Sequence, residues 1–403
     1  MKIRSKHTTT GILFFCWIVI ILQSLYILEN RYPDVLDKVG LRQPVQTLFR
    51  SVGLEHKNSY FVLSQDEDRT DLKKKLESID EYSTYLTEDE FESFSIDSKQ
   101  EYEGIGVSLQ LTPKGVYINE VFDGSPAAVA GLASKDLISQ LDGIDVRNWE
   151  FTKIVSYVRG HQNTSIRIAV ARDEQILNFD LRRRAIDIPS VRKIHLTDDG
   201  ILYLKIDQFG EKTAVEFLKA VQSYLPHPIK GLVIDLRENT GGVFHSSLDI
   251  LDAFYPKRTV MLKTKATDDD KMKSHRARHK DPLGNIPTII LVNRNTASSS
   301  EIVAGSLQVT GRALLIGERT LGKGSIQTVY SLKDGDAYKK TTSYYYLPDG
   351  SSIHKVGIRP DIEINLTPEL YHEYRTREQS GIAPYDTTDD PYWNEALKYM
   401  RQD

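Results

Sequence analysis

The sequence predicts a multidomain α/β protein, α+β in layout, led by an apolar helix. Three observations carry this: strands alternate with helices through the second half, short strands and turns fill the middle, and an apolar stretch lies near the start. The 403 residues suffice for two or three domains. Hydrophobic residues make up 40% and charged residues 27%, ordinary for a globular protein.

At the N-terminus Lys2, Arg4 and Lys6 precede an apolar run over 11–28, broken only by Gln23 and Ser24. As a helix this run spans about 27 Å, close to the roughly 30 Å hydrocarbon core of a bilayer. The basic flank holds residues 1–10 in the cytoplasm. The expectation is a signal anchor in the inner (cytoplasmic) membrane, with all that follows periplasmic or otherwise extracytoplasmic. Tyr26, Ile27, Leu28 and Glu29 offer no small-x-small cleavage site, and Phe14 and Phe15 before Cys16 are too bulky for a lipoprotein site. Cys16 is the one cysteine, which excludes an intramolecular disulfide and a thiol-ligated metal cluster. A net charge of −4 lacks the basic excess that nucleic-acid binding uses.

Residues 29–99 are polar and helical in pattern, with Val45, Leu48, Phe49, Leu72 and Leu76 as apolar landmarks. They carry no catalytic constellation and read as a linker with packing helices. From 100 to 184 the pattern is one of small strands around two helices, with turns at Asp123-Gly124-Ser125-Pro126 and Asp142-Gly143. From 185 to 370 the strand 201–206, a helix over 213–224 and the strand 231–236 form a βαβ unit. The apolar strand 287–292 is of the kind buried on both faces. Residues 371–403 are polar and charged, and their pattern assigns no element.

Three strings carry chemistry. Thr296-Ala297-Ser298-Ser299-Ser300-Glu301 follows the buried strand and opens a helix. Ser298 with Glu301 satisfies a capping box; the same elbow also exposes a serine oxygen beside helix amides and a positive dipole. Residue chemistry alone leaves Ser298, Ser299 and Ser300 open as the nucleophile.

Gly317-Glu318-Arg319-Thr320-Leu321-Gly322-Lys323-Gly324-Ser325-Ile326-Gln327 resembles a phosphate loop but fails it, because Gly324 stands where Ser or Thr is required. The alternative is a lysine base. Bringing an amine from about 10.4 to about 7 takes roughly 4.6 kcal/mol of differential stabilisation, which burial supplies. Gln327 is then apt, since a neutral amide orients an amine without holding its proton. Asp235-Leu236-Arg237-Glu238-Asn239-Thr240-Gly241-Gly242 ends a strand in a Gly-Gly turn, which either answers a need for positive φ or brings a bare amide to an oxyanion. Of the ten histidines, His275 and His279 lie in a basic stretch without a glutamate between them and read as a solvated loop. Nothing in the spacing ties His245 to a serine, and no set has metal-ligand spacing.

Taken together these strings resemble the C-terminal processing peptidase family, the tail-specific or carboxyl-terminal proteases, over roughly residues 75–365. Ile79-Asp80-Glu81-Tyr82-Ser83-Thr84-Tyr85-Leu86 is similar to the family's segment before its PDZ domain. Tyr102-Glu103-Gly104-Ile105-Gly106-Val107 resembles the PDZ carboxylate-binding loop. Ser125-Pro126-Ala127-Ala128, Ala130-Gly131-Leu132 and Val158-Arg159-Gly160 match later parts of that domain. The segments Thr341-Thr342, Tyr346-Leu347-Pro348-Asp349-Gly350 and Gly357-Ile358-Arg359-Pro360-Asp361 complete the likeness.

The resemblance implies a crotonase-like ββα spiral peptidase core preceded by a PDZ domain. It places the nucleophile at Ser298, the general base at Lys323 and its orienting residue at Gln327. Oxyanion donors fall at the Ser299 amide and at Gly241 or Gly242, with Gly242 favoured. Gly104, Ile105, Gly106 and Val107 are the peptide-binding loop. The implied partners are protein or peptide substrates with free apolar C-termini, the membrane through the N-terminal helix, and a homo-oligomer or adaptor protein. Serine and lysine chemistry needs no metal or cofactor.

Three departures stand out: Val309 where many relatives carry an acidic residue, Ser299 for the usual alanine, and Lys135 for a glycine before Asp136. None removes Ser298 or Lys323. The competing reading is a PDZ adaptor whose peptidase core is inactive.

Overall fold

The computed structural model describes residues 69–401, apart from 280–282, 284–285, 333, 380–382 and 387–388. The apolar helix expected over 11–28 lies outside the described residues. Among those described, no helix is long and apolar enough to cross a membrane. Met1–Asp71 and Leu72–Asp403 are separate units, and all that follows concerns the second.

The first described elements are α1 (Arg69–Glu77), β1 (Thr84–Leu86) and α2 (Glu88–Lys99). A capping box opens α2: the Thr87 N–H donates to Glu90 Oε2 at 2.9 Å, and Thr87 Oγ1 accepts from the Glu90 N–H. Gln100, in the left-handed region at φ 56°, ends it.

Next come β2 (Glu101–Gly104), β3 (Val107–Thr112), β4 (Gly115–Val121), α3 (Pro126–Ala130), β5 (Leu137–Leu141) and β6 (Ile144–Asp145). They are followed by α4 (Phe151–Val158), β7 (Ser165–Arg172), β8 (Gln175–Arg182) and β9 (Arg184–Asp187). An antiparallel sheet runs β3-β4-β5-β7-β8, with β6 attached to β5 and β3 at one edge. Alternation in β4 and β7 points Val116, Ile118, Ile166 and Ile168 inward, where they meet Ile154 and Val158 of α4. The ribbon β2–β9 is paired separately.

The remainder comprises β10 (Val191–Leu196), β11 (Ile201–Ile206), α5 (Thr213–Tyr224), β12 (Gly231–Asp235), α6 (Phe244–Asp252), β13 (Val260–Ala266), β14 (Met272–Arg276) and β15 (Thr288–Val292). Then come α7 (Ser299–Val309), β16 (Leu314–Gly317), β17 (Ser325–Ser331), β18 (Ala337–Tyr346), β19 (Ile362–Glu363), α8 (Pro368–Gln379) and α9 (Pro391–Met400). One sheet runs β10-β11-β12-β15-β16-β19 and is parallel except for β10. Every residue of β11, β12 and β15 is buried, as continuous apolar runs in a parallel sheet require. A second, antiparallel sheet runs β1-β18-β13-β14, with β17 paired to β18. Through β1, a segment that reads from sequence as packing helix is a strand of this second sheet.

Two features position the site. Strands β12, β15 and β16 are parallel neighbours, so the three chemistry-bearing strings leave the same carboxyl edge of the sheet, where ligands of open α/β sheets gather. The polar C-terminal stretch forms α8 and α9. Tyr392 and Trp393 are buried in a cluster with Tyr203 and Ile316.

Candidate active site

Ser298 sits between β15 and α7 at φ 54° and ψ −117°, a conformation that costs a non-glycine residue about 1–3 kcal/mol. Neighbouring groups hold it there. The Ser298 N–H donates to Glu301 Oε2 at 2.9 Å, and its carbonyl accepts from the Ile302 amide at 2.9 Å and from the Tyr345 hydroxyl at 3.3 Å.

Glu301 reaches further than a helix cap. Its carboxylate is buried and accepts four hydrogen bonds: Oε2 from the N–H groups of Ser298 (2.9 Å) and Lys323 (2.8 Å), Oε1 from Gly322 N–H (2.7 Å) and the Thr320 hydroxyl (2.5 Å). One oxygen thus fixes the backbone of the serine and of the lysine together. Burial pushes the Glu301 carboxyl up from its ordinary value, and the four donors oppose that shift.

Ser298, Lys323 and Gln327 line one cavity of about 240 Å³, with Gly242, Ser299, Tyr345 and Lys339 in its wall and Phe94, Asp97 and Ser98 of α2 across it. Burial pushes the Lys323 amine below its ordinary value, and the charge of Lys339 acts in the same direction. Asp80 and Glu301 act against both. The Lys323 Nζ lies 5.0 Å from the centroid of the Tyr82 ring. No hydrogen bond joins it to Ser298 Oγ or to Gln327. The Gln327 Nε2 donates to Ser325 Oγ (2.9 Å) and Thr341 Oγ1 (3.1 Å), which leaves Oε1 as the acceptor.

The Gly-Gly turn lies against the serine. Gly241 has φ 98° and Gly242 φ 138°, and a β-carbon on Gly241 would come within 2.7 Å of Ser298 Cβ. The two amides differ. Gly241 N–H donates to Asn239 Oδ1 at 2.9 Å, whereas the N–H groups of Gly242 and Ser299 have no hydrogen-bond partner among the described residues. Ser299 Oγ donates to the Gly242 carbonyl at 3.0 Å and ties the two donors together.

In the small β domain Gly104 ends β2, Ile105 is buried, and Gly106 has φ 84° because its carbonyl must meet both the Phe122 amide (3.0 Å) and the Ser125 hydroxyl (3.2 Å). Val107 begins the edge strand β3. Its N–H donates to the Tyr102 hydroxyl at 3.1 Å and its carbonyl accepts from that hydroxyl at 3.3 Å. The Tyr102 ring fits because residue 104 is glycine; a β-carbon there would lie 2.7 Å from Tyr102 Cε2.

Two partners of the site escape sequence reasoning. Tyr82 lies far from Lys323 in the chain, and only the pairing of β1 with β18, reinforced by Thr341 N–H donating to Ser83 Oγ at 3.1 Å, brings it near. Glu301 is legible as a cap but not as a junction. The expectation of a solvated loop fails for His275, which is half-buried in β14 through pairing with β13 and contacts Thr264 Oγ1 at 2.9 Å, while His279 lies beyond that strand and contacts Asp252. Among the described residues no group of three or more His, Cys, Asp or Glu is placed to hold a metal.

A serine elbow, a desolvated lysine and unpaired amides on an α/β sheet, joined to a β domain with an open edge strand, define a serine peptidase carrying a peptide-binding module. The profile of Peptidase family S41 matches residues 200–364, and that of the PDZ domain matches residues 104–182. The chain is 32% identical over 351 residues to the carboxy-terminal-processing protease of Bartonella bacilliformis, covering 80% of each chain. It is 31% identical over 317 residues to the carboxy-terminal processing protease CtpA of Bacillus subtilis, covering 77% of this chain and 67% of that one. A solved structure of a candidate S41 protease from Bacteroides fragilis shares the fold, with TM-score 0.51 and 17% identity over 81% of this chain and 87% of that one. The chain belongs to peptidase family S41, among the carboxy-terminal processing proteases, and is a serine-type endopeptidase with a PDZ domain.

Because Glu301 accepts from the backbones of both Ser298 and Lys323, Glu301→Gln turns one acceptor into a donor facing N–H groups, at a cost of about 1–3 kcal/mol for each group left unpaired. The expected result is a fall of at least tenfold in kcat, with the chain still folded by circular dichroism. Wild-type kcat in this variant would remove the junction role.

Proposed function

We propose that this chain is an envelope endopeptidase that captures substrate C-termini on its PDZ domain and cleaves with a Ser298–Lys323 dyad, processing or degrading its substrates. The observation that carries the reading is the pair of hydrogen bonds to Glu301 Oε2, 2.9 Å from Ser298 N and 2.8 Å from Lys323 N, at the wall of one cavity. The neutral Lys323 amine leaves the Tyr82 ring, takes the Ser298 proton, and Oγ attacks the peptide carbonyl. Gln327 Oε1 accepts from that amine and orients it without a counter-charge. The Gly242 and Ser299 amides receive the oxyanion, each worth roughly 2.7–4 kcal/mol; Gly241 turns the chain so that they converge. The protonated lysine then gives its proton to the leaving amine as the C–N bond breaks, and, neutral again, takes a proton from the water that attacks the acyl-enzyme and returns it to Ser298 Oγ. The N-terminal run 11–28 anchors the chain in the cytoplasmic membrane, and residues 100–184 and 185–370 work as capture and cleavage domains outside the cytoplasm. A homo-oligomer or an adaptor protein completes the assembly.

Ser298→Ala should abolish cleavage of a quenched-fluorescence peptide with three apolar C-terminal residues while leaving its binding unchanged. Lys323→Arg should be equally inactive, because arginine keeps its proton at every accessible pH. With a base held below its ordinary value and active when neutral, kcat/KM rises with pH as the amine loses its proton and levels off above that point. A flat profile between about pH 5 and 9, or an active Arg variant, would reduce Lys323 to a fixed charge.

An apolar C-terminus entering beside β3 pairs with the outward groups of Val107. Those groups now bond the Tyr102 hydroxyl, so binding is a competition with it. Tyr102→Phe should tighten binding of the free-carboxylate peptide several-fold on the full chain by fluorescence anisotropy, and C-terminal amidation should weaken binding to both forms. Equal affinity for free and amidated peptides would rule out carboxylate capture.

A further inference from the structure

The C-terminal helices α8 and α9 grip the oxyanion loop at two consecutive residues of opposite charge. Arg237 is buried. Its Nη1 donates to both oxygens of Asp390 at 3.0 and 2.9 Å, its other nitrogens donate to Asp235, and its guanidinium lies 4.9 Å from the Tyr374 ring and 4.7 Å from the Tyr392 ring. Asp390 in turn caps α9 by accepting from Tyr392 N–H and Trp393 N–H, both at 3.0 Å.

The next residue, Glu238, has φ 65°, a left-handed conformation that glutamate holds only when its surroundings impose it. Its carboxylate accepts from Asn293 Nδ2 at 2.7 Å and Asn295 Nδ2 at 2.8 Å, both in the loop that leads to Ser298, and forms an ion pair with Arg375 of α8. One carboxylate therefore joins the loop before Gly242, the loop before Ser298 and the C-terminal helix. Asn239 carries the constraint onward: its side chain receives Gly241 N–H at 2.9 Å and its carbonyl receives Ala297 N–H at 3.0 Å.

We propose that Arg375 and Asp390 are positioning residues for the peptidase reaction, acting through Glu238 and Arg237 to hold the Gly242 amide where the oxyanion develops. This rests on the oxyanion assignment above. Neither residue reaches the cavity that holds Ser298, so neither touches substrate. Releasing Glu238 lets it leave the left-handed region, which rotates the peptide planes that follow. An amide displaced in this way still permits substrate binding and fails in the transition state.

The test uses the full chain with the same quenched-fluorescence peptide, comparing Arg375→Gln, Arg375→Lys and Asp390→Asn, with Lys398→Gln on α9 as control; among the described residues Lys398 pairs with Glu395 on its own helix. Arg375→Gln and Asp390→Asn are expected to lower kcat about tenfold with KM within twofold and the unfolding midpoint of Arg375→Gln near wild type. Arg375→Lys should recover most of the loss, and Lys398→Gln should match wild type. Wild-type kcat in Arg375→Gln overturns the proposal. So does a loss that tracks a lowered midpoint, or a Gln variant that does not fold, since either assigns the pair to stability alone. Activity of a Ser298→Ala chain equal to wild type would instead remove the dyad, and with it the oxyanion to be held.

Discussion

The carboxylate of Glu301 takes four donors from two chain segments that come together only in the fold, and much of the site hangs on this arrangement. A buried carboxylate left without partners would cost several kcal/mol or take up a proton. With the Ser298, Lys323 and Gly322 amides and the Thr320 hydroxyl around it, it becomes a rigid centre. The left-handed turn at Ser298, the approach of β16's following loop and the register of Lys323 against the serine all follow from that centre. The Thr320 hydroxyl accepts from Ile358 N–H at 2.7 Å, extending the same order to the chain before β19.

The electrostatics of the cavity are a balance rather than a single effect. Burial and Lys339 drive the Lys323 amine toward the neutral form, while the Tyr82 ring, Asp80 and Glu301 favour the cation. Glu301 accepts from three backbone amides and the Thr320 hydroxyl and makes no ion pair with the amine it helps to place. A direct carboxylate partner at Gln327's position would have held the proton; an amide there does not.

Much of this was open to reading in the sequence wherever the signal is local. The strand 201–206 and the helix 213–224 coincide with β11 and α5, and the small-strand pattern over 100–184 contains the sheet β3-β4-β5-β7-β8. The serine run 298–300 at an elbow and a glycine-framed Lys323 stand out because strand-to-helix turns and glycines mark themselves, while the choice of Ser298 within the run comes from the family resemblance. What stayed hidden is non-local. Tyr82 reaches Lys323 only through pairing of β1 with β18, and nothing periodic announces that partnership. Helices α8 and α9 are hidden by their charge: much of what they bury is aromatic, in Tyr374, Tyr392 and Trp393, and two charged residues, Arg375 and the cap Asp390, turn inward to Glu238 and Arg237. Lys323 with Gln327 shows the opposite limit, since the resemblance points to both residues but cannot say that the amide nitrogen bonds Ser325 and Thr341.

The bond between Arg237 and Asp390 spans 153 positions of the chain. A ribosome delivers residues in order, so Arg237 is made long before the carboxylate that satisfies it. Until then a guanidinium destined for the interior has half its partners, and burying it is unfavourable. The nascent chain can fold its PDZ domain and assemble much of the central sheet while the loop from Arg237 to Gly242 still lacks its anchor. Setting of the loop after β12 therefore waits on residue 390, which emerges after the last strand of both sheets has been made.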